Sequence, residues 1–531
     1  MHSIKKTISH IFRTKLLCLA FLTFPGLCLL VSAHPAGAVQ SPAQHSIQIT
    51  EPLPGTIYPP DMASPRFLWK DSSQSTKWVL RISRSSRILF EIALKNPWWL
   101  PEPSTWEKIK KAAGNDRLEI TISGSGGEDS RKAVSRAKMD FSFSRDGVNA
   151  RIMFMRKPLP FSKALKNPEQ TGLLLGEVDS YAPPRAIMSS PPICANCHAY
   201  SARGDHLTLD TDFKGDKGGF LFATMDGKIT IDEDSIYSWN SLAACPPADY
   251  SMGLFARLSP EGRYIAGTVS ETSVFVQMSD VYFSQLFFPA TGQLAVFDTQ
   301  TKKIDLLPGA AREDMVQTGP GWSPDGRSIA FSAAPVEPAL IGKVLDKTVY
   351  NESSNQNIFQ LNKKYPVKFD IYTLPFNQGK GGTARPLEGA SNNGFSNYFP
   401  RYSPDGKWIV YTRSPTGLVL QPYSKLYIVP ATGGRARELE SNQPVMNSWH
   451  SWSPNSKWLV FTSKANSPFT ELYLTHINNK GNASPAIRLF RFSSNDLAAM
   501  VPEFIPESAT IPRAITYGPG TKGKSMATDG R

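Results

Sequence analysis

The sequence is short of cysteine, with 5 in 531 residues, and short of acid, with 45 Asp and Glu against 58 Lys and Arg. So few cysteines exclude a disulfide-built scaffold. After residue 32 there is no second long apolar run, so no membrane-crossing helix is expected beyond the amino terminus. No G-x-S-x-G occurs, and too little chain follows residue 475 to add a serine-hydrolase domain behind the repeats described below. The one glycine-rich stretch, "ISGSGGED", lacks the lysine and the strand-to-helix setting of a phosphate loop. Lys and Arg are scattered instead of clustered on one element with aromatics between them, so the formal charge of +13 is read as solvated surface and not as a nucleic-acid footprint.

What is present begins with an address. Residues 1–38 carry four basic residues and no acid, then "LLCLAFLTFPGLCLLVSA", then the small-residue segment "HPAGAV". This is the pattern of a cleaved secretory leader, interrupted by Pro25 and Gly26 in a way that disfavours a permanent anchor. Cys18 and Cys28 follow Leu-Leu and Gly-Leu, which is not the setting of a lipidated cysteine. Loss of Lys5, Lys6, Arg13 and Lys15 takes the charge from +13 to +9. The expected location is periplasmic or extracellular, which leaves Cys194, Cys197 and Cys245 in an oxidising compartment.

Five segments repeat one unit: "AYSARGDHLTL" (199–209), "RLSPEGRYIAGT" (257–268), "GWSPDGRSIAFS" (321–332), "RYSPDGKWIVYT" (401–412) and "SWSPNSKWLVFT" (451–462). Ser, Pro, Asp and Gly suit successive places of a tight turn, and the alternating residues after it read as a half-buried strand. Strand hairpins such as "LAVFDTQTKKIDLLPG" and "KLYIVPATGGRARELE" follow each unit. Turn, strand and hairpin repeated at irregular intervals is the pattern of propeller blades. The longest interval holds "VEPALIGKVLDKTVYNESSNQNIFQLNKKYP", expected to be a loop insertion on one blade.

Over about residues 190–475 these units resemble the WD40-like repeats of the TolB-like propeller family. The resemblance implies an all-β propeller of about six blades over 150–510, the sixth drawn from 150–190 or the C-terminal segment, with strands from both ends closing the ring. Ahead of it, 46–145 reads as a small β-sandwich similar to fibronectin type III or immunoglobulin-like modules. Its Trp-rich insert "NPWWLPEPSTWEKIKKAAG" is expected to hold a short helix from Ser104 to Ala113 and to be an anchor sooner than a ligand platform. Residues 511–531 are expected to be a disordered tail.

The chemistry-bearing motif is "PPICANCHAY", in which Cys194, Cys197 and His198 form C-x-x-C-H. Two thiols at this spacing can add to the vinyl groups of a porphyrin while the histidine binds iron, and an exported chain is the setting that haem c requires. The motif also resembles that of a subset of exported propeller proteins. Yet the sequence runs straight from it into a blade, so any haem would lie against the propeller. A disulfide, either Cys194 to Cys197 or one using Cys245, is the alternative. For a haem, His450 in "NSWHSWSP", taken as a loop residue, is the first choice of second axial ligand, with Met225, Met252 and His206 behind it. His198 and His450 are then the iron ligands. The expected function is periplasmic electron transfer or redox sensing as a monomer, with redox or envelope proteins as partners. The competing expectation is a haem-free scaffold that binds envelope proteins or glycans. "DTDFKGDKGG", with Asp210, Asp212 and Asp216, is read as a hairpin turn and not a calcium loop, because Lys214 stands where an oxygen donor is needed.

Overall fold

The Ser-Pro-Asp-Gly units are turns because their own side chains close them. The Ser323 hydroxyl donates to Asp325 at 2.6 Å and accepts from the Ser328 amide at 2.9 Å, while Gly326 takes φ 68°. The pattern recurs at Ser403, which donates to Asp405 at 2.6 Å, and at Ser453, which donates to Asn455 at 2.7 Å. A left-handed φ at the fourth place is what glycine adopts without steric cost.

The computed structural model describes residues 47–126, 133–193, 195–242, 251, 253–275, 280–345 and 358–519. The leader expected at 1–38, together with Cys194, Cys245 and Met252, lies outside the described residues. Among the described residues no helix is long and apolar enough to cross a membrane.

Six four-stranded sheets form the blades. Their innermost strands are Leu497–Pro506 in blade 1, Ala195–Tyr200 in blade 2, Arg257–Leu258 in blade 3, Met315–Trp322 in blade 4, Ser396–Tyr402 in blade 5 and Asn447–Trp452 in blade 6. Each touches the next, and the sixth touches the first, so the ring closes. Blade 1 draws on both ends of the propeller: Leu497–Pro506 pairs with Ala150–Pro158, which is followed outward by Gly172–Glu177 and Arg185–Ser189. Both segments considered for the sixth blade therefore contribute to one sheet.

Two features decorate the ring. In blade 3 the strands Tyr264–Phe275 and Phe287–Asp298 are unusually long, and their connection crosses to the far side. There the Gln285 amide meets Met500 Sδ of blade 1 at 3.1 Å, and Lys464 of blade 6 donates to the carbonyls of Val281 and Tyr282 at 2.6 and 3.0 Å. The expected insertion lies in blade 4, where it carries helices Pro338–Leu345 and Ile358–Lys364. The tail needs a correction. Ala514–Tyr517 is not disordered but pairs in parallel with Lys228–Ile231, because Ile515 has a buried place to fill; low apolar content over the whole segment hid this four-residue strand.

The amino-terminal module packs a three-stranded sheet, Ile47–Glu51, Phe67–Asp71 and Trp98–Trp99, against a five-stranded one. Its insert forms the helix Pro103–Ala113, anchored by Trp106 and Ile109, with Trp99 buried and Trp98 left exposed. The core does not stop at the module boundary. Trp69, Trp106 and Phe141 belong to one apolar cluster with Trp458, Leu472, Leu474 and Phe492 of blade 6. Polar contacts stitch the same seam: Trp458 Nε1 donates to the Asp146 carbonyl at 3.1 Å, and His476 Nε2 lies 3.1 Å from the Asp146 carboxylate. A shared core couples the two modules in unfolding. We expect one calorimetric transition for both, and Trp458→Ala to cost about 3–5 kcal/mol in urea denaturation, the range for emptying a buried aromatic site. Two separate transitions in the unmodified protein would contradict the shared core.

Candidate axial site

The innermost strands converge on the axis through a repeated irregularity. Aligned on their Ser-Pro turns, with Ser201-Ala202 and Ile505-Pro506 standing in for the pair in blades 2 and 1, they place Cys197, Phe255, Gly319, Phe399, Trp449 and Val501 at one position. The strand register slips there in blades 1, 2, 4, 5 and 6. Phe255, Gly319, Phe399, Trp449 and Val501 all have left-handed φ, between 44° and 63°. Such a conformation in bulky residues costs of order 1–3 kcal/mol each and persists only where the surroundings enforce it. Here the bulge turns one side chain of each strand toward the axis. Phe255 and Phe399 meet edge to face at 4.7 Å, and Gly319 lies against the Phe399 ring.

This geometry separates two members of the C-x-x-C-H string. Cys197 faces the axial cluster with Phe255, Tyr398, Phe399 and Met446. His198, the next residue, has its ring edge-on to Tyr200, two residues along the same strand, at 5.7 Å. The cavity beside Cys197, also lined by Phe255, Arg257, Phe399, Arg401 and His450, measures about 10 Å³, which is room for a single water. A haem held by Cys197 and His198 does not fit this arrangement: the thiol borders a cavity the size of one water, the imidazole lies against Tyr200, and among the described residues no slot for a macrocycle adjoins them.

Two residues beyond the bulge comes a second axial layer, which sequence reasoning missed. Arg257 of blade 3 pairs with Glu503 of blade 1 and also donates to the His198 carbonyl at 3.2 Å. Ser451 of blade 6 donates to Glu503 at 2.9 Å, and Arg401 of blade 5 approaches the same carboxylate at 4.0 Å. The signal was present in the sequence, since R-L-S-P, R-Y-S-P, S-W-S-P and E-F-I-P all put these residues two places before the turn. Tryptophans one place later tie neighbouring blades: Trp322 Nε1 donates to the Arg257 carbonyl at 2.9 Å and Trp452 Nε1 to the Arg401 carbonyl at 3.3 Å.

The other candidate ligands are placed as follows. His450 is not in a loop but on the strand Asn447–Trp452, buried, with Nε2 3.0 Å from the Val410 carbonyl. That contact makes Nε2 the protonated nitrogen. His450 does reach the Cys197 cavity, so these two expected residues are brought together, but it occupies in blade 6 the place that His198 occupies in blade 2. Met225 is a core residue, and His206 stacks on Phe222 with Nδ1 3.0 Å from Asp205. Asp216 braces its hairpin through Gly218, Ser238 and Asn240. Among the described residues no group of three His, Cys, Asp or Glu is placed to hold a metal.

Burial sets the electrostatics. Cys197 is a free thiol among the described residues, and burial, helped by the nearby Asp210 charge, pushes its pKa up to about 12. Burial lowers His450 to about 4 against the upward pull of the Val410 contact. Two outcomes follow. In a variant retaining only Cys197, with Cys194→Ser and Cys245→Ser, the native protein should resist a thiol reagent at pH 8 and react fully in denaturant; rapid native labelling would contradict the burial. For His450, the unfolded state gains a proton below pH 6.5 while the folded state resists until about 4, so stability falls as pH drops through that window, by about 3 kcal/mol in all. His450→Gln keeps a donor for Val410 and should remove that share of the pH dependence from the melting temperature.

Searches of family models and of curated proteins return no match. Solved structures do resemble this chain. TolB from Acinetobacter baumannii matches with 14% identity and a TM-score of 0.41 over 73% of this chain and 79% of that one. A TolB-type protein from Agrobacterium tumefaciens matches with 16% identity and a TM-score of 0.36 over 67% and 99%. The likeness is one of fold, and the propeller assignment rests on the closed ring of six sheets described above.

Proposed function

We propose that this chain is an exported, haem-free recognition propeller, whose axis is closed by its own side chains and whose work is done on its surface. The observation that supports this reading is the place of Cys197. It fills in blade 2 the axial position held elsewhere by Phe255, Gly319, Phe399, Trp449 and Val501, so the second cysteine of the motif serves ring closure. Below it the Arg257–Glu503 pair and Arg401 occupy the channel. Propellers present their loops on two broad faces and support many binding functions, so a closed axis is compatible with a binding role. The leader expected from the sequence supports partners in the cell envelope.

A second reading, haem c serving electron transfer or redox sensing, is favoured by the C-x-x-C-H string and by the meeting of Cys197 with His450 at one cavity. It requires Ala195–His198 to leave the strand positions they hold here.

The two readings separate in a visible spectrum and intact mass of protein exported from a host that attaches haem. A colourless product with the mass of the processed chain is expected. A dithionite-sensitive α-band with a haem-sized mass increment, both lost in the Cys194→Ala, Cys197→Ala double variant, would replace the first reading with the second.

A further inference from the structure

Away from the axis, the seam between sandwich and propeller opens into a cleft of about 400 Å³. One wall is the start of the sandwich helix, with Leu100 and Glu102, and the loop at Ser64. The other is Tyr181 from the outer hairpin of blade 1 and Phe490 with Arg491 beyond the outermost strand of blade 6. The volume lies in the range of small-ligand sites, and such sites favour domain junctions.

The charges in the cleft are the informative part. The Arg491 guanidinium lies 4.5 Å from the centre of the Phe490 ring and 5.1 Å from that of Tyr181, and Nη1 donates to the Ser64 carbonyl at 2.7 Å. These contacts hold it flat, and partial burial lowers its pKa. Its nearest fixed partners are a carbonyl, the Ser64 hydroxyl at 3.4 Å and two rings, so among the described residues no carboxylate neutralises it. Glu102, across the cleft, stands at the amino terminus of the helix and makes no capping hydrogen bond there. A half-buried cation and an uncommitted carboxylate thus face one space, with the exposed sides of Tyr181 and Leu100 between them.

The geometry points to a carboxylated saccharide as the ligand of this cleft. A planar, stacked guanidinium suits a carboxylate, which it can grip through paired N–H donors. A phosphate dianion would meet repulsion from Glu102 with only one arginine to offset it. Glu102 is an acceptor for hydroxyl groups, and the half-exposed Tyr181 ring offers a flat apolar face for a sugar ring. A peptide carboxylate fits less well, because extended peptides take their affinity from a free strand edge and the cleft is walled by loops and a helix start. This inference extends the recognition reading by naming a ligand class, and its test does not depend on whether haem is attached.

The test is calorimetric titration of the full exported protein with a glucuronate disaccharide, with its methyl ester and N-acetylglycine as comparison probes. Saturable binding of the glucuronate is expected, at least tenfold weaker for the uncharged ester and for N-acetylglycine. Arg491→Gln should abolish binding. Since Arg491 also holds Ser64, Glu102→Gln serves as a second variant that leaves the melting temperature unchanged and weakens binding several-fold. Equal binding of the ester, equal or tighter binding of N-acetylglycine, or no binding by the unmodified protein would each overturn the proposal. A coloured protein that still binds glucuronate would remove the haem-free reading and leave this one standing; a colourless protein that does not bind would do the reverse.

Discussion

Closing a ring of six sheets around one axis is the constraint on which the rest of the molecule depends. Each innermost strand has two faces, and both are claimed: one by the axis, the other by the neighbouring blade. The repeated bulge resolves this by aiming one side chain of each strand inward, at the cost of left-handed backbone in Phe255, Phe399, Trp449 and Val501. That strain is offset only if the inward side chains pack on one another, as Phe255 and Phe399 do. Residue choice at the axis is therefore collective. A thiol in blade 2 is admissible beside two phenylalanines.

The charged layer beneath obeys a different balance. Glu503 is shared by Arg257, Ser451 and Arg401, so a carboxylate contributed by blade 1 is satisfied by blades 3, 5 and 6. A buried ion pair of this kind adds little net stability over an apolar filling, but removing one partner leaves the others exposed to a low-dielectric site. It works as a check on ring registration: only a correctly closed ring brings all four side chains within reach.

Much of this was legible from residues alone, and the reasons differ by element. The Ser-Pro-type turns were readable because their chemistry is local: in three of the five a serine hydroxyl bonds an Asp or Asn two places on, and in blade 2 Ser201 bonds Asp205. Blade 1 was only half readable, because its paired strands lie some three hundred and fifty residues apart in sequence and Ile505-Pro506 replaces the usual Ser-Pro. His450 was mistaken for a loop residue because the Asn and Ser residues around it read as turn formers, while the contact that buries it, to the Val410 carbonyl, comes from blade 5. The C-x-x-C-H string poses a more basic difficulty. Read linearly, Cys197 and His198 are neighbours; in the fold the thiol meets the axial cluster and the imidazole meets Tyr200, and whether a motif sits on a strand or a helical turn is a tertiary fact. The junction cleft was invisible for the same reason, since Ser64, Glu102, Tyr181 and Arg491 meet only after two modules share a core.

The composition of blade 1 also bears on the order of assembly. Ala150–Pro158 waits as an unpaired edge until Leu497–Pro506 arrives beside it, so nothing emerging earlier can lock the ring. A polypeptide in that state has most of its blades made and its ring still open. The same delay leaves a bare, apolar strand edge on view, and such edges recruit foreign strands. Late closure thus leaves a nearly complete chain open to misassembly until blade 1 is finished.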